Sequence, residues 1–212
     1  MNQTVQKRAR KERKENADMR RRQLLDAARR SIRAHGLAKT TLATVANQAG
    51  LSQGVAVFYF SSKVGLLTET LRDLYAGYET HWQTALAAAG EDPADQLRAL
   101  LVADFDEDAC GPAVLPLWFA FWGELPFQAQ YEAVAEDFDA RRREALVPIW
   151  RALLTQEEEA TPMAEWMDTL TDGYWQRLHL APRSVDRAAA LVSASACLAR
   201  LLPEHRRTRF LG

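Results

Sequence analysis

The chain has 212 residues, 48% of them hydrophobic and 26% charged, which is enough apolar material for one or two globular units and excludes a collagen, a coiled coil or wholesale disorder. Its formal charge of −1 conceals an asymmetry: residues 1–70 hold 14 basic and 5 acidic side chains, whereas residues 71–212 hold 13 and 23. A basic head on an acidic body points to a polyanionic partner at one end only, although a basic tail by itself is as readily a solvated one.

Residues 1–17, MNQTVQKRARKERKENA, have no apolar stripe, many like charges and no signal-peptide h-region, so they are expected to form a mobile basic arm in the absence of DNA. Leu24, Leu25, Ala28 and Ile32 then share one stripe, which predicts a helix over 18–35 with Gly36 as its C-cap. Thr40 or Thr41 caps a short helix reaching Ala49. Gly50-Leu51-Ser52 breaks it, and Ser52 caps a second short helix to about Tyr59. Ser61 and Ser62 open a long helix over 63–88. Further helices are expected at 93–108, 113–123, 126–155, 162–180 and 184–202, with Pro148 kinking the third of them. Strand signals are nearly absent, so the fold class is all-α, with a three-helix helix-turn-helix unit at 18–62 and a larger helical unit at 63–212.

Thr41 to Phe60 reads TLATVANQAGLSQGVAVFYF. Val45, Ala49, Leu51, Ala56 and Tyr59 fall where two steeply crossed helices need apolar contacts. Ala46 is small at the crossing, and Gly50 suits the left-handed turn between the helices. In a major groove, Gln53 would pair with adenine, Gly54 would permit close approach and Val55 would touch a thymine methyl. Thr41, Ser52, Tyr59 and Lys63 suit the helix termini and phosphates. Phe58 is carried as a further candidate contact, although core packing is the reading that Phe58 and Phe60 favour.

The run GLSQGVAVFYFSSKVGLL, residues 50–67, resembles the recognition-helix signature of the TetR family of repressors. The family commonly has Tyr where this chain has Val57, which removes an expected phosphate contact. FDED at 105–108, LWFAFW at 117–122 and DGYWQR at 172–177 resemble the choline-responsive BetI branch, which controls glycine betaine synthesis. The resemblance implies double-stranded operator DNA and a small-molecule effector as partners. It also implies a homodimer through the last two helices, where Ala188, Leu191, Val192, Ala194, Ser195 and Leu198 would let helices approach closely.

Trp118 and Trp122 stand at i and i+4 with Phe121 on a neighbouring edge, and Asp172, Trp175, Gln176 and His179 make another face. Aromatic rings with a carboxylate nearby suit a quaternary ammonium, so Trp118, Phe121, Trp122, Asp172 and Trp175 are the candidate ligand contacts. The same spacing also describes ordinary core. The acidic run Asp104, Asp106, Glu107 and Asp108 lacks calcium-loop spacing and reads as a solvated face. Cys110 and Cys197 match no zinc or CxxC pattern, so no metal or disulfide is expected and both thiols should be reduced and buried. His35, His81, His179 and His205 are scattered, and HExxH, GxSxG and phosphate-loop motifs are lacking, so neither an enzyme nor a cofactor site is expected. With no run of about 18 apolar residues, the expected setting is cytoplasmic, away from membranes. The competing readings are a regulator of a different small molecule and a ligand-blind DNA-binding adaptor.

Overall fold

Gly36 and Gly50 punctuate the first third of the chain, each with the positive φ that an L side chain rarely adopts, 76° and 68°. The structure, a computed structural model, describes residues 2–212, with the side chains of residues 2–6, 8–13 and 157 outside the description. Eleven α-helices and two short 3-10 turns are present, with no strand among the described residues. The first helices are α1 (Asn2–Lys39), broken in conformation at Gly36, α2 (Leu42–Gln48), α3 (Gln53–Phe60) and α4 (Lys63–Ala88). They are followed by α5 (Pro93–Asp104), α6 (Glu107–Cys110), α7 (Leu115–Trp122), α8 (Ala129–Leu153), α9 (Ala160–Leu180), α10 (Arg187–Leu201) and α11 (Glu204–Leu211). Two compact units result, Met1–Asp73 and Leu74–Gly212, and the division falls within α4. Among the described residues no helix is long and apolar enough to cross a membrane.

The first unit is built on the stripe of α1. Leu24, Leu25 and Ala28 meet Val45 and Ala46 of α2, Ala56 and Phe60 of α3 and Leu66 of α4 in one buried cluster. Each fully buried Leu here is worth roughly 1.5–3 kcal/mol. The break at Gly36 is stitched by Thr40, whose hydroxyl donates to the Gly36 carbonyl at 3.0 Å and lies 2.9 Å from the Ser31 hydroxyl. Backbone helix begins at Asn2 rather than near residue 18; the preceding stretch is rich in Lys, Arg, Glu and Gln, which favour helix even without an apolar stripe.

In the second unit α8 packs on α9 and α5, α10 packs on α9, and α11 returns to α5. Leu97, Leu100, Leu101, Leu146, Trp150 and Met167 are among its fully buried side chains. The helix expected over 93–108 is two helices, because Phe105 ends α5 and the Asp106 carboxylate accepts from the Asp108 amide at 3.0 Å to open α6. The terminal α11 was not expected after Pro203. Half of its residues are Glu or Arg, Phe210 is its buried residue, and Arg209 anchors it on Asp95 (2.5 Å) and Asp92 (3.1 Å). Cys110 is buried as expected, but Cys197 is exposed on α10. Ala194 and Leu198, expected at a dimer contact, lie instead in the core of this unit, 0% and 1% exposed.

Candidate functional site

The crossing of α2 and α3 is set by three local devices. Thr41 and Thr44 form a reciprocal cap, the Thr44 amide donating to Thr41 Oγ1 at 3.1 Å and the Thr41 amide to Thr44 Oγ1 at 2.9 Å. Ser52 caps α3 by accepting from the Val55 amide at 3.4 Å. Gly65 lets α4 approach the end of α3, since a Cβ there would stand 2.2 Å from the Phe60 carbonyl oxygen. Ala46, small as expected, is buried at the crossing.

These devices leave Gln53, Gly54, Val57 and Phe58 exposed on α3. Val55 and Tyr59 are half-buried and pack against the hydrophobic cluster, so Val55 is less available for a methyl contact than its place near the helix start implied. Phe60 is core, but Phe58 is 80% exposed, which overturns the core reading for that residue. The reason is rotational: Phe58 follows Gly54 by four residues and shares its open face, while Phe60 follows the buried Ala56 by four. Lys63 is half-buried, and its ammonium donates to the Ala38 carbonyl at 2.7 Å, which occupies one of its three donors.

In the second unit, a cavity of about 560 Å³ is walled by rings from four helices. Tyr75 and Tyr78 come from α4, Trp118 and Trp122 from α7, Phe138 from α8 and Trp175 from α9. Trp122 and Trp175 lie parallel with centroids 6.2 Å apart, and Trp118 lies 6.0 Å from each. The indole N–H of Trp118 donates to the Ala109 carbonyl at 3.2 Å and that of Trp175 to the Asp104 carbonyl at 2.8 Å, fixing both rings. Phe121, expected among them, is fully buried elsewhere, edge-on to Tyr131 at 5.5 Å. His179, placed on a face with Asp172, stacks on Phe119 at 4.6 Å.

Asp104 corrects the solvated-face reading of the acidic run. It is fully buried, accepting two hydrogen bonds from Arg142 Nη2 at 2.9 and 2.7 Å and one from the Tyr78 hydroxyl at 2.7 Å. Its neighbours Asp106, Glu107 and Asp108 are exposed, as expected.

The cavity walls carry Glu79, Asp139, Glu165, Asp168 and Asp172 against only Arg142 and Arg143. Glu79 is held by Arg141 at 2.7 Å, and Arg142 reaches Asp168 at 3.4 Å. Burial, then the negative charges of Asp168 and Asp139, push the Asp172 carboxyl up to about 7; its surface opens on the cavity, but protein surrounds it. Burial and Asp168 likewise push Asp139 up to about 6. The cavity therefore combines π-faces with more carboxyl groups than basic ones, a setting that attracts a cation.

Residues 24–70 match the family model for bacterial regulatory proteins of the tetR family, and residues 93–203 match that for the C-terminal domain of BetI-type transcriptional repressors. The chain belongs to the TetR family of transcriptional regulators. A relative from Burkholderia ambifaria, named HTH-type transcriptional regulator BetI, is 34% identical over 174 residues, covering 82% of this chain and 89% of its own. A relative of the same name from Burkholderia mallei is 34% identical over 185 residues, covering 87% and 94%. Among solved structures, a transcriptional regulator from Pseudomonas aeruginosa superposes with a TM-score of 0.78 at 23% identity, over 91% of this chain and 94% of that one. A regulator from Saccharomonospora viridis, solved in complex with choline, superposes with a TM-score of 0.76 at 18% identity, over 86% and 96%. These structures share the all-α fold.

This TetR-family chain is thus a transcriptional repressor of the BetI type rather than an enzyme. TetR regulators bind operator DNA and small-molecule effectors, and the two candidate sites fall one in each unit. Sequence reasoning missed Tyr75, Tyr78, Phe138 and Arg142 on the cavity wall. Helical spacing places Tyr75 and Tyr78 on one stripe, but nothing in it says which stripe faces an empty space.

Proposed function

We propose that the effector is choline or a quaternary ammonium compound of similar size, and that the repressor controls genes of glycine betaine synthesis or uptake. The observation that carries the reading is the cavity: Trp118, Trp122, Trp175, Tyr75 and Tyr78 surround it, and Asp139, Asp168 and Asp172 supply negative charge. A quaternary ammonium has no N–H to donate, so ring faces and diffuse negative charge are what it can use. The BetI name of the curated relatives and the choline in the Saccharomonospora viridis structure point the same way.

In the DNA-binding unit, Gln53 stands at the first position of α3 and is exposed, as a base-reading amide must be. Thr41, Ser52 and the α3 amides serve the phosphates, with Gly54 allowing close approach. A homodimer formed through α9 and α10 would present two such helices to a pseudo-palindromic operator. Trp166 on α9 and Val192 on α10, 54% and 68% exposed, are apolar surface that such a contact would cover. Effector binding would release DNA only if the ligand prefers one of two states, and α4, which carries Leu66 in one unit and Tyr75 and Tyr78 in the other, is the proposed route.

Isothermal titration of the full-length protein with choline, glycine betaine and tetramethylammonium tests the reading. Saturable choline binding that Trp122→Ala abolishes supports it, and heats no larger than dilution for all three overturn it.

A further inference from the structure

The recognition helix α3, QGVAVFYF, contains no charged residue. At 100° per residue, its exposed positions Gln53, Val57, Gly54 and Phe58 spread over an arc of about 140°, one continuous face on which Gln53 supplies the polar side chain. The rest is apolar: Val57 is 42% exposed and Phe58 80%. Tyr59, packed against the hydrophobic cluster, meets the Phe58 ring edge-on with centroids 5.2 Å apart. A large apolar ring on the open face of the helix, one turn from a glycine that admits close approach, is suited to meet an apolar surface. The major groove offers one such group, the C5-methyl of thymine.

We propose that Phe58, with Val57 beside it, reads thymine methyl groups in the operator and so sets a specificity that Gln53 alone does not supply. The inference rests on α3 being the DNA-reading helix. It moves methyl recognition from Val55, which is half-buried, to the second turn of α3. Charge for affinity comes from outside the helix, chiefly from α1, where Arg20, Arg22 and Arg33 are exposed.

The experiment uses the full-length protein and the duplex it protects in footprinting, resynthesised with deoxyuridine replacing one thymidine at a time. This deletes the methyl and leaves the hydrogen-bonding edge unchanged. The wild type should lose roughly fourfold in affinity, the worth of one buried methyl, at one or two thymines per half-site. Phe58→Ala should bind the unmodified duplex more weakly by a similar factor and no longer distinguish thymine from uracil at those positions, while Phe58→Leu keeps part of the distinction. Equal binding of every uracil-substituted duplex by the wild type, or undiminished discrimination by Phe58→Ala, would overturn the proposal. Gln53→Ala separates the two levels: if Phe58→Ala alone is silent, only methyl reading fails, whereas if Gln53→Ala and Phe58→Ala are both silent, α3 is not the reader.

Discussion

Arg142 Nη2 donates to both carboxylate oxygens of Asp104, at 2.9 and 2.7 Å, and neither side chain has more than 6% of its surface exposed. With the Tyr78 hydroxyl on the same carboxylate and the Trp175 indole on the Asp104 backbone, this pair joins α4, α5, α8 and α9 behind the cavity. Removing one partner takes from the other its shortest charged contact, leaving Arg142 only the longer one to Asp168 at 3.4 Å, or Asp104 only the Tyr78 hydroxyl. Asp104→Ala should therefore destabilise the second unit by about 3 kcal/mol, and Arg142→Met by a similar amount. The double replacement should cost less than the sum. Urea unfolding of the three variants checks this.

Acid should weaken choline binding. A permanent cation brings no proton of its own and favours the ionised forms of Asp172 and Asp139, whose carboxyls are pushed up to about 7 and about 6. Affinity should be highest above pH 7 and fall about tenfold per pH unit, for each proton displaced, as pH drops through 7 toward 5. The stability of the ligand-free protein should show the opposite trend. These carboxyls are raised in the folded state, so the stability they contribute is fully present below the ordinary value of 3.8 and is lost as pH rises toward 7. Titration calorimetry at pH 8 and pH 5.5, in two buffers of different ionisation enthalpy, measures affinity and proton release together. Asp172→Asn should flatten the pH dependence.

Gly65 is a steric requirement. A methyl placed 2.2 Å from the Phe60 carbonyl oxygen cannot be accommodated without moving α3 or α4. Gly65→Ala should destabilise the first unit by about 2 kcal/mol or more and reduce operator affinity. The neighbouring Ser61 holds φ of 61° without being glycine, so Ser61→Gly should be neutral or stabilising by up to about 1 kcal/mol. Thermal unfolding of both variants reads the opposed signs.

The N-terminal stretch of α1 should add phosphate contacts. Residues 1–17 hold six Lys and Arg against two Glu. Deleting them should lower the slope of log K against log salt by about 0.9 for each phosphate they neutralise, while thymine-to-uracil discrimination stays unchanged. Operator binding at four salt concentrations decides between this role and that of a solvated tail, for which the slope would not move.

Much of the fold was legible because the punctuation is local. Thr41, Gly50, Ser52 and the stripe of Leu24, Leu25, Ala28 and Ile32 act within a few residues of themselves, and the structure places them as read. The terminal α11 was missed because a single buried residue, Phe210, replaces a stripe, and its anchors Asp92 and Asp95 are over a hundred residues away. At the candidate site, Trp118, Trp122, Trp175 and Asp172 do line one cavity. Asp104 was misread because three acidic neighbours disguised it, and its partner Arg142 is 38 residues distant. The exposure of Phe58 depends on which face of α3 the core takes, a tertiary fact that a short apolar helix does not reveal.

The central claim is that a quaternary ammonium ligand in the aromatic cavity controls operator binding. The most direct measurement follows the fluorescence anisotropy of a labelled operator duplex bound to the full-length protein while choline is added at pH 8, with intrinsic tryptophan emission recorded in parallel. Anisotropy should fall to the free-DNA value over the same choline range in which tryptophan emission changes, and Trp122→Ala should hold DNA but ignore choline. Constant anisotropy and constant emission at saturating choline, with operator binding intact, would contradict it.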